Sequence, residues 1–79
     1  MMRIPDHDLL IQTVQSRVQE AMDKRRRDVL EEAARRHYVS YALLYRITKW
    51  RPSCRGESFN LRKLLDAYEC ACDVLGQAA

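Results

Sequence analysis

The sequence predicts an all-α fold, a single small bundle of four to five helices spanning residues 1–79. Three observations carry that expectation. Only two Gly and two Pro interrupt the 79 residues, which leaves little room for irregular chain. Apolar residues recur at spacings of three and four along most of the chain, the period of an amphipathic helix. Asp, Ser or Asn stands ahead of several of those runs, where a side-chain oxygen can take up unpaired amides. With 47% hydrophobic and 32% charged residues the composition is that of an ordinary water-soluble domain. A chain this short buries only a modest core, so a binding module that dimerises is a better fit than an enzyme.

Pro5, Asp6 and Asp8 mark the start of a first helix reaching residue 23. Ile11, Val14, Val18 and Ala21 form its apolar stripe, with Leu10 and Met22 beside it. That stripe either covers the chain's own core or meets its copy in a second chain. The run Lys24-Arg25-Arg26-Arg27 ends the helix or continues it as a solvated turn. Asp28-Val29-Leu30-Glu31 fits a capping box with Asp in the leading place, opening a short helix with Val29, Leu30, Ala33 and Ala34 inward. His37-Tyr38-Val39 makes a turn. Ser40 caps a third helix over residues 40–50, with Leu43, Leu44, Ile47 and Trp50 inward, and Pro52 stops it. Residues 51–60 form a loop. Asn60 caps a last helix over 60–76, whose apolar positions are Leu61, Leu64, Leu65, Tyr68, Cys72 and Leu75, with Gly76 at its end; Leu64, Leu65, Tyr68, Cys72 and Leu75 make it the rival dimer surface to the first helix.

Charge is distributed unevenly. The net charge is +3, yet residues 24–63 carry twelve Lys and Arg against four acidic residues, while both ends are net acidic. A polyanionic partner needs such local concentration, because counterion release depends on cations touching the phosphates. The three cysteines, Cys54, Cys70 and Cys72, cannot all pair in one chain. No Cys-x-x-Cys or neighbouring His offers a zinc site, so reduced thiols in a cytoplasmic protein and no metal or cofactor are expected. No apolar run approaches the roughly twenty residues needed to cross a bilayer, so no membrane role is expected. His7 and His37 lack a nucleophile or second ligand nearby. No catalytic triad, phosphate-binding Gly-rich loop or spaced carboxylate pair is present, and no enzymatic activity is expected.

The segment from Ala34 to Trp50, ARRHYVSYALLYRITKW, resembles the helix-turn-helix of the Cro and phage-repressor (XRE-like) superfamily, through Ala34, Val39, Ser40, Leu44, Arg46 and Ile47. Ala34 lets the supporting helix approach closely, Val39 anchors the turn, and Leu44 and Ile47 point back to the core. The resemblance implies a lambda-repressor-like bundle with a helix-turn-helix over 28–50 and the helix 40–50 as the recognition element. The leucine-rich last helix also follows the family order. Tyr38 stands where the family has glycine, which implies a left-handed backbone at a tyrosine. Trp50 stands where a second glycine commonly ends the recognition helix, and Leu30 stands near the glutamine that commonly touches phosphate.

On this resemblance Ser40, Tyr41, Ala42, Tyr45, Arg46 and Lys49 would face the major groove of double-stranded DNA, Arg46 reading a base edge and Lys49 a phosphate. Arg35 and Arg36, with Arg51 and Arg55 in the loop, would lie along the sugar-phosphate backbone. The implied function is a DNA-binding transcriptional regulator, a repressor acting as a homodimer on a two-fold operator. The alternatives are an excisionase-like architectural protein, or a helical module that binds a protein partner through the same surface.

Overall fold

The computed structural model describes residues 7–51 and 59–76, with side chains from Leu9 onward. Four helices follow one another: α1 (His7–Lys24), α2 (Arg27–Arg36), α3 (Tyr41–Lys49) and α4 (Leu61–Gly76). No strand occurs among the described residues. The described residues are thus all-α, and their helices match the lower of the expected counts. α1 and α4 pack most extensively. α3 rests mainly on α1, and α2 on α4.

α1 forms where its stripe predicts. Ile11, Val14, Val18 and Ala21 are at most 1% exposed, because together they supply the floor on which α3 and α4 sit. Their burial within one chain rules out the alternative in which this stripe meets a second copy. The cationic run ends the helix at Lys24, and Arg25 and Arg26 form the connection to α2. Pro5 and Asp6, expected to start α1, lie outside the described residues.

α2 begins two residues earlier than the capping-box reading requires. Its N-cap is Arg26, with no side-chain cap bond, while Asp28 sits inside the first turn and accepts from the Val29 amide at 2.8 Å. There its carboxylate faces the positive end of the helix dipole and pairs with Arg26 at 3.0 Å. Leu30, Ala33 and Ala34 are buried, and Val29 is half-buried.

The end of α2 is a Schellman turn. The Val39 amide donates to Ala34 O at 2.9 Å and the Tyr38 amide to Arg35 O at 3.3 Å, satisfying carbonyls that the helix leaves unpaired. The geometry needs a left-handed residue at position 38. Tyr38 supplies it with φ 61°, at a cost of roughly 1–2 kcal/mol relative to glycine. Its side chain is 83% exposed, so the ring has no packing role that would offset this cost.

Two hydrophobic staples then set the entry angles of α3 and α4. Val39 precedes the cap Ser40 and matches Leu44 at the fourth helical position. Phe59 precedes the cap Asn60 and matches Leu64 in the same register. All four apolar side chains are buried. Ser40 Oγ accepts from the Leu43 amide at 3.0 Å, and Asn60 Oδ1 from the Arg62 amide at 2.7 Å, as their positions ahead of the apolar runs predict. α3 stops at Lys49, with Trp50 as a buried C-cap. Pro52, expected to stop it, lies outside the described residues, as does most of the 51–60 loop.

In α4 the apolar positions divide between the core and the surface. The buried side chains are Leu64, Ala67, Cys70, Ala71 and Val74. Of the six apolar positions read from the sequence, only Leu64 is fully buried; Leu61 and Leu65 are exposed, and Tyr68, Cys72 and Leu75 are half-buried, Tyr68 and Leu75 packing against the edge of the core. The core takes the small stripe because Ala67, Cys70 and Ala71 let α4 come close to α1 and α2, and the bulkier stripe is turned outward by about a third of the helix circumference.

Candidate nucleic-acid interface

α3 is nine residues long and two-sided. Leu44 and Ile47 are at most 1% exposed against α1, while Leu43 and Thr48 are half-buried. Ala42, Tyr45, Arg46 and Lys49 are exposed and Tyr41 is half-buried. The helix contains no Asp or Glu, so its outer face is cationic and aromatic.

Ring contacts organise that face. Arg27, at the first turn of α2, lies over the Tyr41 ring at 4.6 Å from its centroid. Lys49 lies over Tyr45 at 5.2 Å and Arg46 over Phe59 at 5.5 Å. Each stack restrains a long side chain while leaving charge at the surface. Arg27 is the last residue of the cationic run 24–27. The structure sets it against the N-terminus of α3, where it also pairs with Glu31 at 3.0 Å. This is the start of the supporting helix. Leu30, assigned near that place from the sequence, is 1% exposed and belongs to the core.

The remaining expected contacts divide. Ser40 lies at the exposed mouth of the turn with its hydroxyl oxygen engaged by the Leu43 amide. Arg35 is exposed on α2. Arg51 is exposed just beyond α3 and donates to the Trp50 carbonyl at 3.1 Å. Arg36 is committed elsewhere: it approaches Glu32 at 3.9 Å and Asp73 at 3.4 Å. His37 Nε2 meets the same Asp73 carboxylate at 3.1 Å, tying the end of α2 to α4. Asp73 is held below the usual carboxylate range, chiefly by the hydrogen bond from His37 and then that from Arg36. Arg36 is therefore a brace between helices before it is a surface cation. Arg55 lies outside the described residues.

Two residues that position α3 escape sequence reasoning. The Gln15 side-chain amide, from the middle of α1, donates to Ile47 O at 3.1 Å, Thr48 O at 3.2 Å and Trp50 O at 2.9 Å. Two N–H groups are thereby shared among three carbonyls at the C-terminal end of α3, which α1 caps from the side. Lys63 Nζ donates to the Tyr38 carbonyl at 3.1 Å, fastening the turn to α4. Neither long-range partner has a local sequence signal. Phe59 did have one, its place just before Asn60.

Of the three cysteines, Cys54 lies outside the described residues and Cys72 is half-buried. Cys70 is fully buried, and desolvation pushes its thiol up to about 11, so at neutral pH it behaves as a small apolar side chain. Among the described residues no cluster of three or more His, Cys, Asp or Glu is disposed to hold a metal ion, and no helix is long and apolar enough to cross a membrane. Comparison with protein-family models, curated proteins and solved structures gave no match.

Proposed function

We propose that the chain is a DNA-binding regulator that presents α3 to the major groove as the recognition helix of a helix-turn-helix formed with α2. The observation that carries this reading is the division of α3: an apolar side fixed on α1, and an outer side of Tyr41, Ala42, Tyr45, Arg46 and Lys49 with no carboxylate of its own. The left-handed turn at Tyr38 and the Ser40 cap support it, since they fix the relation of α2 to α3. On this reading Arg46 donates to paired acceptors on a base edge, while Lys49, Arg27, Arg35 and Arg51 neutralise phosphates along the flanks. Occluding a promoter is the simplest regulatory action for a DNA-binding module of this kind, and repression is the form we favour.

Fluorescence anisotropy with mixed genomic duplexes at several salt concentrations tests the proposal. Binding that falls steeply with salt is expected, as is selection of a preferred sequence from the mixture. Arg46→Ala should cost about 1–3 kcal/mol on the preferred duplex and flatten discrimination, whereas Lys49→Ala should weaken all duplexes alike and lower the salt slope by about 1. Absence of binding at low salt, or indifference to both substitutions, overturns the proposal. Retention of a protein ligand on Tyr45 and Lys49 without any DNA binding would favour the interaction-module alternative.

A further inference from the structure

The outward stripe of α4 has a period of its own. Leu61, Leu65, Tyr68, Cys72 and Leu75 follow one another at intervals of four, three, four and three, the spacing of a coiled-coil seam. Leu61 is 55% and Leu65 46% exposed, and Leu9 of α1 adds a further apolar side chain that is 58% exposed. This seam lies beside the fully buried Leu64, Ala67, Cys70, Ala71 and Val74 face; Tyr68 and Leu75 rest partly on the core, and Leu61 and Leu65 stand clear of it.

The charges beside the seam identify what fits it. Arg62 and Glu69 occupy equivalent flanking positions, each directly after a seam residue and both exposed. The opposite flank is Leu64 and Ala71, buried in the protomer itself. A parallel partner would need complementary charge from that buried flank. An antiparallel copy instead brings like flanks together. Leu65 then faces Tyr68 of the second copy and Leu61 faces Cys72, and in that register Arg62 lies against Glu69 of the second copy, twice by symmetry. Within one protomer Arg62 makes only a loose 3.7 Å approach to Asp66 and is 82% exposed, so the cross-pair displaces little.

We infer that the chain forms a two-fold dimer through antiparallel pairing of its α4 seams. The inference stands apart from the DNA reading. α3 rests mainly on α1, and no residue of its outer face belongs to the seam.

Sedimentation equilibrium of the full chain without DNA, from about 1 µM to several hundred µM, tests it over the range where a moderate homodimer titrates. The wild-type chain should dimerise. Leu65→Glu should raise the dissociation constant at least about tenfold with the helical circular dichroism unchanged, since the side chain is exposed. Arg62→Glu and Glu69→Arg should each weaken the dimer, and the double variant should restore it. A monomer throughout, a dimer indifferent to Leu65→Glu, or a double variant no tighter than the single ones overturns the inference. The readout contains no nucleic acid, so failure here leaves the DNA reading intact, and the converse holds too.

Discussion

α3 and α4 both bury one face in the same core, but they offer solvent opposite chemistry. The outer side of α3 holds cations stacked on rings, while that of α4 holds a leucine-rich seam with one basic and one acidic flanking residue. A short helix buries enough with two fully enclosed large residues, Leu44 and Ile47, when staples and caps hold its ends. A sixteen-residue helix that buries mostly small side chains has apolar residues to spare. The difference teaches that an apolar side chain on an amphipathic helix marks an interface without saying whether that interface lies within the chain.

The largest expected effect separates the two faces of α4. Leu64→Ala should lower unfolding free energy in urea by about 2–5 kcal/mol, since Leu64 is fully buried and a cavity would remain. Leu65→Ala, measured in dilute protein, should cost under about 1 kcal/mol because the side chain already meets water. Equal losses would mean that the two stripes share the core.

A smaller effect of opposite sign belongs to the turn ahead of α3. Tyr38→Gly relieves roughly 1–2 kcal/mol of left-handed strain but adds about 0.5–1 kcal/mol of chain freedom to the unfolded state. A net gain of about 0.5–1 kcal/mol in the same titration is expected, because the Lys63 bond to this residue is made to its main-chain carbonyl and survives. A loss of stability would show that the exposed ring contributes packing after all.

The smallest effect is a pH dependence on α4. Asp73 has its folded pKa depressed below 3.8 by His37 and Arg36, so its contribution is complete well above 3.8 and is lost as pH falls through the still lower folded value. In acid titrations Asp73→Asn should therefore remove part of the stability decline below about pH 4, an effect of modest size because the carboxylate is solvent-accessible. Identical acid profiles for the two proteins would show that the Arg36–Asp73–His37 brace contributes nothing to acid sensitivity.

Much of the fold was legible, for identifiable reasons. Ile11, Val14, Val18 and Ala21 were legible as one stripe because, Leu9 apart, the exposed sides of α1 are polar. Ser40, Asn60 and the left-handed residue at position 38 were readable because caps and turns are local chemistry. Which apolar positions of α4 face the core was not legible, because leucines outweigh alanines in any count of apolar character, while close helix packing favours the smaller residues. At the candidate interface the outward disposition of Tyr45, Arg46 and Lys49 followed from the inward period of Leu44 and Ile47. Arg27 over Tyr41 did not, since a contact across fourteen residues depends on where α2 and α3 meet.

Trp50 gives α3 an optical gauge. It is the chain's only tryptophan, its indole is buried, and its carbonyl is one of the three that Gln15 holds at the helix end. Loosening of this helix from α1 would wet the indole and shift its emission to longer wavelength, while fraying at the far end of α4 would leave the signal unchanged. Intrinsic fluorescence therefore follows the seating of one nine-residue element in the unlabelled protein.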